Sequence, residues 1–223
     1  MYQDKEILAF NKPNNMSVHG GNFVKFGLIE KLKIFMKDTK FLELVHRLDK
    51  KTSGILLLAK KKSILKNLHE QFRNKTIKKE YFAIVHGNVV KNRIIKKEIS
   101  EYRIKNKKKI KKKKFSKTQF LVKKKFKNAT YVKIIPYTGR KHQIRIHSKY
   151  MGNPIIGDEK YGSKKLNKLF TKNGFKKLYL HSYSIKFVHP KTKKIKRIKA
   201  PINPSIKKLL YFLQEKKCKV FCK

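Results

Sequence analysis

Hydrophobic positions come in short runs separated by polar, lysine-rich stretches, a pattern that predicts more strands than helices. Residues 7–10 read as a strand that ends in the turn cluster 11–15, which contains Pro13. FLELV (41–45) reads as a second strand, and the unbroken apolar run ILLLA (55–59) as a buried one. Residues 81–85 form another strand, closed by Gly87. FSKTQFLV (115–122) and ATYVKIIPY (129–137) alternate as paired strands do, and 178–190 with 193–200 read as strands around a turn. Helices are expected over 24–36, 61–74 and 140–151, and from Asn203-Pro204 onward. In the second of these Ile64, Leu65, Leu68 and Phe72 share one face; in the last, Ile206, Leu209, Leu210 and Leu213 do. The run 105–114, nearly all lysine, predicts a solvated loop or hairpin tip, because a helix there would stack like charges. Residues 163–177 read as a polar connection. Strands neighbour one another without regular helix alternation, so the expected fold class is α+β, with a mixed, largely antiparallel sheet and flanking helices. No repeat or linker breaks the chain, and 1–223 is expected to form a single domain.

Composition narrows the class. The 223 residues carry 61 Lys+Arg against 13 Asp+Glu, a formal net charge of +48, which suits a polyanionic partner, nucleic acid first. The two cysteines, Cys218 and Cys222, exclude a disulfide scaffold and read as free thiols of a terminal tail. No apolar run approaches the roughly 18 residues of a membrane span, and the start MYQDKEILAF has no signal-peptide pattern. A cytoplasmic protein with no membrane partner is therefore expected. A hydrophobic fraction of 39%, with 15 Phe and 10 Tyr, is enough to build a core. The basic residues are almost all lysine, with only seven arginines (47, 73, 93, 103, 140, 145 and 197), while Ala occurs five times and Trp never. These are the residues of AT-rich codons, so codon drift is expected to explain much of the lysine excess. The arginines and the few carboxylates then tell more.

Most of the acids stand in polar segments. Asp49 differs: it follows a strand, adjoins His46 and Arg47, and precedes the loop Thr52-Ser53-Gly54 and a buried strand. Such a carboxylate is either a functional group carried on a loop or a cap for its own turn. A second constellation is Gly139-Arg140-Lys141-His142-Gln143-Ile144-Arg145-Ile146-His147, which holds two of the seven arginines. It reads either as a basic solvated face or as the source of an arginine that pairs with a carboxylate. His142 and His147 are five apart, a poor spacing for one metal site, and no Gly-rich phosphate loop is present.

The segment His46-Arg47-Leu48-Asp49-Lys50-Lys51-Thr52-Ser53-Gly54-Ile55-Leu56-Leu57-Leu58-Ala59-Lys60 resembles the HRLDxxTSGLLLLAK signature of the RluA-type pseudouridine synthases. Asn11-Lys12-Pro13 with Val18-His19, and Lys79-Glu80-Tyr81 with Gly87, resemble two further family elements. So do Gly139 to His147 followed by Gly152-Asn153-Pro154-Ile155-Ile156-Gly157-Asp158 and Tyr161-Gly162, and Leu180-His181 with Phe187-Val188-His189-Pro190. The elements stand in family order over about residues 7–200, and several look most like the RluC branch, which modifies large-subunit ribosomal RNA. The resemblance implies the pseudouridine synthase fold with a central RNA-binding cleft. It implies an isomerase with no cofactor and no metal that detaches a flipped uracil and rejoins it through carbon five. Asp49 is then the catalytic carboxylate, as nucleophile or as base, Arg145 its salt-bridge partner, and Tyr81 the aromatic against the base. Arg47 would fill the gap left by the extruded nucleotide. His46, Thr52, Arg140, His142 and Gln143 would contact RNA, and Ile144 and Leu180 would wall the uracil. The expected partner is ribosomal RNA, and the expected state a monomer. A catalytically dead rRNA-binding relic would be expected to lack one of Asp49, Tyr81 and Arg145; all three are present. Two departures stand out. The synthase pattern begins by about residue 7, so the S4-type RNA-binding domain usual in this branch is not expected. Asn14-Asn15 also stands where the family has a small residue and glycine.

Overall fold

A computed structural model describes residues 1–21, 26–105 and 108–218. In chain order the elements are β1 (Tyr2–Gln3), β2 (Ile7–Lys12), α1 (Leu28–Phe35), β3 (Glu43–Leu44), β4 (Ser53–Ala59), α2 (Lys62–Arg73), β5 (Lys78–His86), β6 (Arg93–Lys105), β7 (Lys108–Lys125), β8 (Ala129–Pro136), α3 (Gln143–Tyr150), α4 (Lys164–Thr171), β9 (Leu180–Val188), β10 (Ile195–Lys199) and α5 (Pro204–Cys218). The chain divides into two compact units, Met1–Tyr81 with Leu180–Lys207, and Phe82–Tyr179 with Lys208–Lys223. The expected α+β class with mostly antiparallel pairing holds in both.

The first unit is built around β4, every residue of which is buried. β4 pairs antiparallel with β2 on one side, from Ile7↔Ala59 to Lys12↔Gly54. On the other side it meets β9 in parallel at Ser53↔His181 and Gly54↔Ser182, and β10 closes on β9. An apolar run flanked on both sides has no polar face to show, which is why the alternation expected of a half-exposed strand is missing there. The core beneath joins Ile7, Ala9, Ile55, Leu57, Ile185, Phe187 and Ile198 with Ile64 and Leu68 from α2. Gly54 adopts φ +105°, and a Cβ there would collide with the Ser182 backbone. The close β4–β9 approach therefore depends on glycine at the end of the Thr52-Ser53-Gly54 loop.

In the second unit the strands run in the order β5-β8-β7-β6, β5 having carried the chain across from the first. β6 and β7 form a long hairpin with unbroken register from Arg93↔Phe120 to Lys105↔Lys108. The lysine run, expected to be a solvated loop or hairpin tip, belongs to this hairpin and is strand from Lys108 on; residues 106 and 107 lie outside the described residues. Pairing rather than propensity decides it: alternation sends neighbouring lysines to opposite faces, and Lys114 meets Glu101 at 2.6 Å. Phe120, Val132, Ile134, Ile84, Ile155 and Ile156 are buried in this unit.

Three helix expectations change. The segment 163–177 contains α4, opened by Ser163, whose side chain accepts from Leu166 N–H. Leu166, Leu169 and Phe170 fall at i, i+3 and i+4 as one apolar stripe, but it is only three residues long among lysines and only Phe170 is buried. The expected helix 140–151 begins at Gln143, because His142 is left-handed at φ 55°. The expected helix 24–36 is regular from Leu28, its residues 24 and 25 lying outside the described residues. Cys222 also lies outside them.

Candidate active site

In the first unit the site is a loop strapped to a buried strand. Val45 N–H donates to the Leu57 carbonyl at 2.9 Å, and Leu57 N–H donates to His46 Nε2 at 3.1 Å. The His46 ring also packs on Phe72 at 5.3 Å. Burial, with the Lys79 charge adding, pushes His46 down to about 3, so it is a neutral acceptor. Leu48 is buried, and the Asp49 carbonyl accepts from Thr52 N–H at 3.0 Å in a tight turn. Asp49 itself is half-buried, Arg47 is exposed, and Thr52 is buried.

Lys12, which the sequence pattern does not single out, lies beside this loop. Its side chain is fully buried. The ammonium donates to the carbonyls of Pro13 and Met16 at 2.9 Å and of Lys50 at 3.0 Å, which ties the turn after β2 to the residue following Asp49. Burial pushes Lys12 down to about 8, opposed by the charge of Asp49. A second tie joins Asn14 Nδ2 to the Lys51 carbonyl at 2.7 Å. Asn15 takes the left-handed conformation at φ 62°, which asparagine tolerates where glycine is otherwise used. Asn14-Asn15 thus forms a turn bonded to the Asp49 loop.

Tyr81 is buried and hydrogen-bonded to Ser182. Burial raises it to about 12, with the Asp49 charge adding, so the phenol stays protonated at neutral pH. Next to Ser182, His181 Nδ1 and Ser53 Oγ are 2.9 Å apart, and Leu180 is buried. Asp49, Tyr81 and Leu180 are thus brought together with Lys12 on one scaffold of β2, β4, β5 and β9.

The second unit holds the other constellation. Arg145 projects from α3 and grips Asp158 with Nε to Oδ2 and Nη2 to Oδ1, both at 2.8 Å, and both residues are buried. Asp158 also accepts the N–H groups of Lys160 and Tyr161 at 3.0 Å. Burial opposes its charge, but the Arg145 and backbone bonds prevail and hold its carboxyl below the usual range. The Tyr161 ring lies 5.1 Å from the Arg145 guanidinium carbon, and its hydroxyl is 2.9 Å from His142 Nδ1. Gln143 is buried. Its oxygen accepts from Thr138 Oγ1 and Arg140 N–H, and its amide nitrogen donates to Lys117 O and Thr118 Oγ1. These bonds occupy both ends of the amide inside the protein, a positioning arrangement rather than a presentation to RNA. Arg140 donates from Nε to the Phe115 carbonyl at 3.2 Å, and Ile144 is buried. In sequence Asp158 is one position of a motif; its role needs Arg145, thirteen residues upstream, to be seen. Among the described residues no cluster of three or more His, Cys, Asp or Glu could hold a metal ion, and no helix is long and apolar enough to cross a membrane.

A family model described as RNA pseudouridylate synthase matches residues 6–150. The chain is 46% identical over 223 residues to the ribosomal large subunit pseudouridine synthase C of Pasteurella multocida, covering 97% of this chain and 68% of that protein. It is 47% identical over 218 residues to the protein of the same name from Buchnera aphidicola subsp. Baizongia pistaciae, covering 94% and 69%. It is similar to a solved structure of human RNA pseudouridylate synthase domain containing 4, with a TM-score of 0.78 and 27% identity over 96% of this chain and 92% of that one. The likeness thus extends through both units, and the chain belongs to the RNA pseudouridylate synthase family, with that family's fold and isomerase class.

Proposed function

We propose that this enzyme converts uridines of large-subunit ribosomal RNA to pseudouridine, with Asp49 as the carboxylate that opens the glycosidic bond. The observation that carries the reading is the 46% identity over nearly the whole chain to a named large-subunit pseudouridine synthase. What supports Asp49 is its half-buried place on a loop held at both ends, by the His46–Leu57 strap and by Lys12 on the Lys50 carbonyl. The reaction breaks the bond from ribose C1′ to uracil N1, turns the uracil, and forms the bond from C1′ to C5. The C5 proton leaves, and N1 gains one. No group is consumed, so what the protein supplies is placement and charge.

In this reading Tyr81, held by Ser182 and protonated, lies against the uracil and moves a proton. Ile144 and Leu180 give it apolar contact. Arg145, fixed by Asp158, serves as the cation for Asp49. Arg47 fills the gap left by the flipped nucleotide, at a cost of a few kcal/mol for the flip, and Arg140 and His142 contact RNA. His46, Thr52 and Gln143 act as positioning residues. Asp49→Asn is expected to abolish tritium release from rRNA labelled at uracil C5 while RNA affinity stays within about threefold. Tritium release by that variant at the wild-type rate would refute the assignment of Asp49.

A further inference from the structure

α2 carries a pattern the reaction does not use. Lys62, Lys66, His69 and Arg73 fall at intervals of four, three and four residues, so they form one stripe along the helix, about 16 Å from end to end. All four are exposed. With Ser63 and half-buried Leu65 they line a shallow groove of about 490 Å3. Among the described residues none of the four side chains makes a hydrogen bond or ion pair. The carboxylate-bearing partners go elsewhere: Glu6 to Lys61, Glu43 to Lys33, Glu80 to Arg197, Asp158 to Arg145. The one acid of α2, Glu70, also makes no ion pair among the described residues.

Arg73, in the last turn, suits the helix dipole, but the rest of this arrangement works against the helix. Like charges four apart destabilise it. Lys62 is its first residue, where the helix dipole disfavours a cation; the first turn has no acid, and Lys61 gives no side-chain cap. The helix is held by its opposite face, through Ile64 and Leu68 in the core. An anion along the stripe would remove these penalties. Codon drift can supply the lysines of the stripe, but it does not explain Arg73, one of only seven arginines.

We propose that the outer face of α2 is a docking track for the RNA phosphodiester backbone, away from the target uridine. The proposal rests on the reading of the chain as an rRNA-modifying enzyme. β4 runs from the Asp49 loop to the start of α2, roughly 20 Å at about 3.3 Å per residue. The track therefore meets nucleotides several positions from the one that reacts, and it acts on affinity and substrate choice. Leu65 gives the groove an apolar floor for a sugar, and the Ser63 hydroxyl is a further phosphate donor.

The test compares the full chain with Lys62→Gln/Lys66→Gln/Arg73→Gln, and with a control triple on α4, Lys164→Gln/Lys165→Gln/Lys168→Gln, which removes the same charge. Binding to a transcribed domain of large-subunit rRNA is measured over a salt series, and tritium release at saturating RNA. Each single-strand phosphate contact contributes about 0.7 to the log–log salt slope. The α2 triple should lower the slope by about 2 and, extrapolated from 1 M, weaken binding roughly 50-fold at 0.15 M salt. Its kcat should stay within about twofold of wild type, and the α4 triple should leave the slope in place. Equal changes in the two triples mean a general charge effect and overturn the proposal, as does an α2 triple with the wild-type slope. A wild-type chain that releases no tritium from this RNA overturns the functional reading itself, and the proposal with it; that result is distinct from the other two.

Discussion

Replacing Lys12 with methionine keeps an unbranched side chain of similar length and removes a buried ammonium. That ammonium donates to three carbonyls, those of Pro13, Met16 and Lys50. Hydrogen bonds to charged groups contribute about 1.5–3 kcal/mol each, so the gross loss is roughly 5–9 kcal/mol. Against it stands the cost of burying the charge, which holds Lys12 at about 8 instead of 10.5. At about 1.4 kcal/mol per pH unit, that cost is roughly 3 kcal/mol. The net loss is then roughly 2–6 kcal/mol, or about 4–24 °C in Tm for a chain of this size. Lys12→Met also frees the Lys50 carbonyl next to Asp49, and misplacement by about 1 Å costs on the order of a hundredfold in rate. kcat should fall by about that factor while rRNA affinity holds.

The pH dependence provides a sharper test. Because burial lowers the folded pKa of Lys12, the unfolded chain binds more protons than the folded one between about pH 8 and 10.5. Stability from this residue therefore rises with pH across that window and is flat below it. Thermal unfolding of wild type and Lys12→Met, run from pH 7 to 10.5, should show the wild-type advantage widening above pH 8, by no more than roughly 3 kcal/mol. An advantage that is flat over that range means burial does not depress Lys12. One that shrinks means the residue behaves as a stabilised cation, and the desolvation argument fails.

Two further outcomes follow from the site. Asp158→Asn leaves the buried Arg145 guanidinium without its bidentate partner, which costs about 3–5 kcal/mol; thermal unfolding at pH 7 should show it, with turnover reduced more than affinity. Since Asp158 is held below its ordinary 3.8, its stabilisation is present above that value and lost as pH falls through the lower folded pKa. The gap between wild type and Asp158→Asn should accordingly narrow in acid unfolding below about pH 4. Tyr81→Phe removes the Ser182 bond at a cost of about 1 kcal/mol, so Tm should hardly move while kcat falls; a variant with wild-type kcat would show that the hydroxyl moves no proton.

What the sequence made legible was contiguous. The run from His46 to Lys60 carries loop, turn and buried strand in one stretch, and its unbroken apolar half predicted β4. What it hid was pairwise and distant. The lysines of β7 read as a loop or hairpin tip, not as a long strand, because the strand that orders them, with Glu101 on it, lies earlier in the chain. Asp158 looked like a motif residue because Arg145 gives it meaning only in the fold. Lys12 is the clearest case. In a chain with 54 lysines, one more reads as surface, yet this one is fully buried on three carbonyls. Lys62 and Lys66 are chemically identical to it and have no partner at all among the described residues. Charge counted along the sequence cannot separate a lysine that holds the catalytic loop from one that awaits a phosphate. Burial and the inventory of acceptors separate them, and they predict opposite responses. Neutralising Lys12 should change stability and turnover, whereas neutralising the α2 stripe should change the salt dependence of binding.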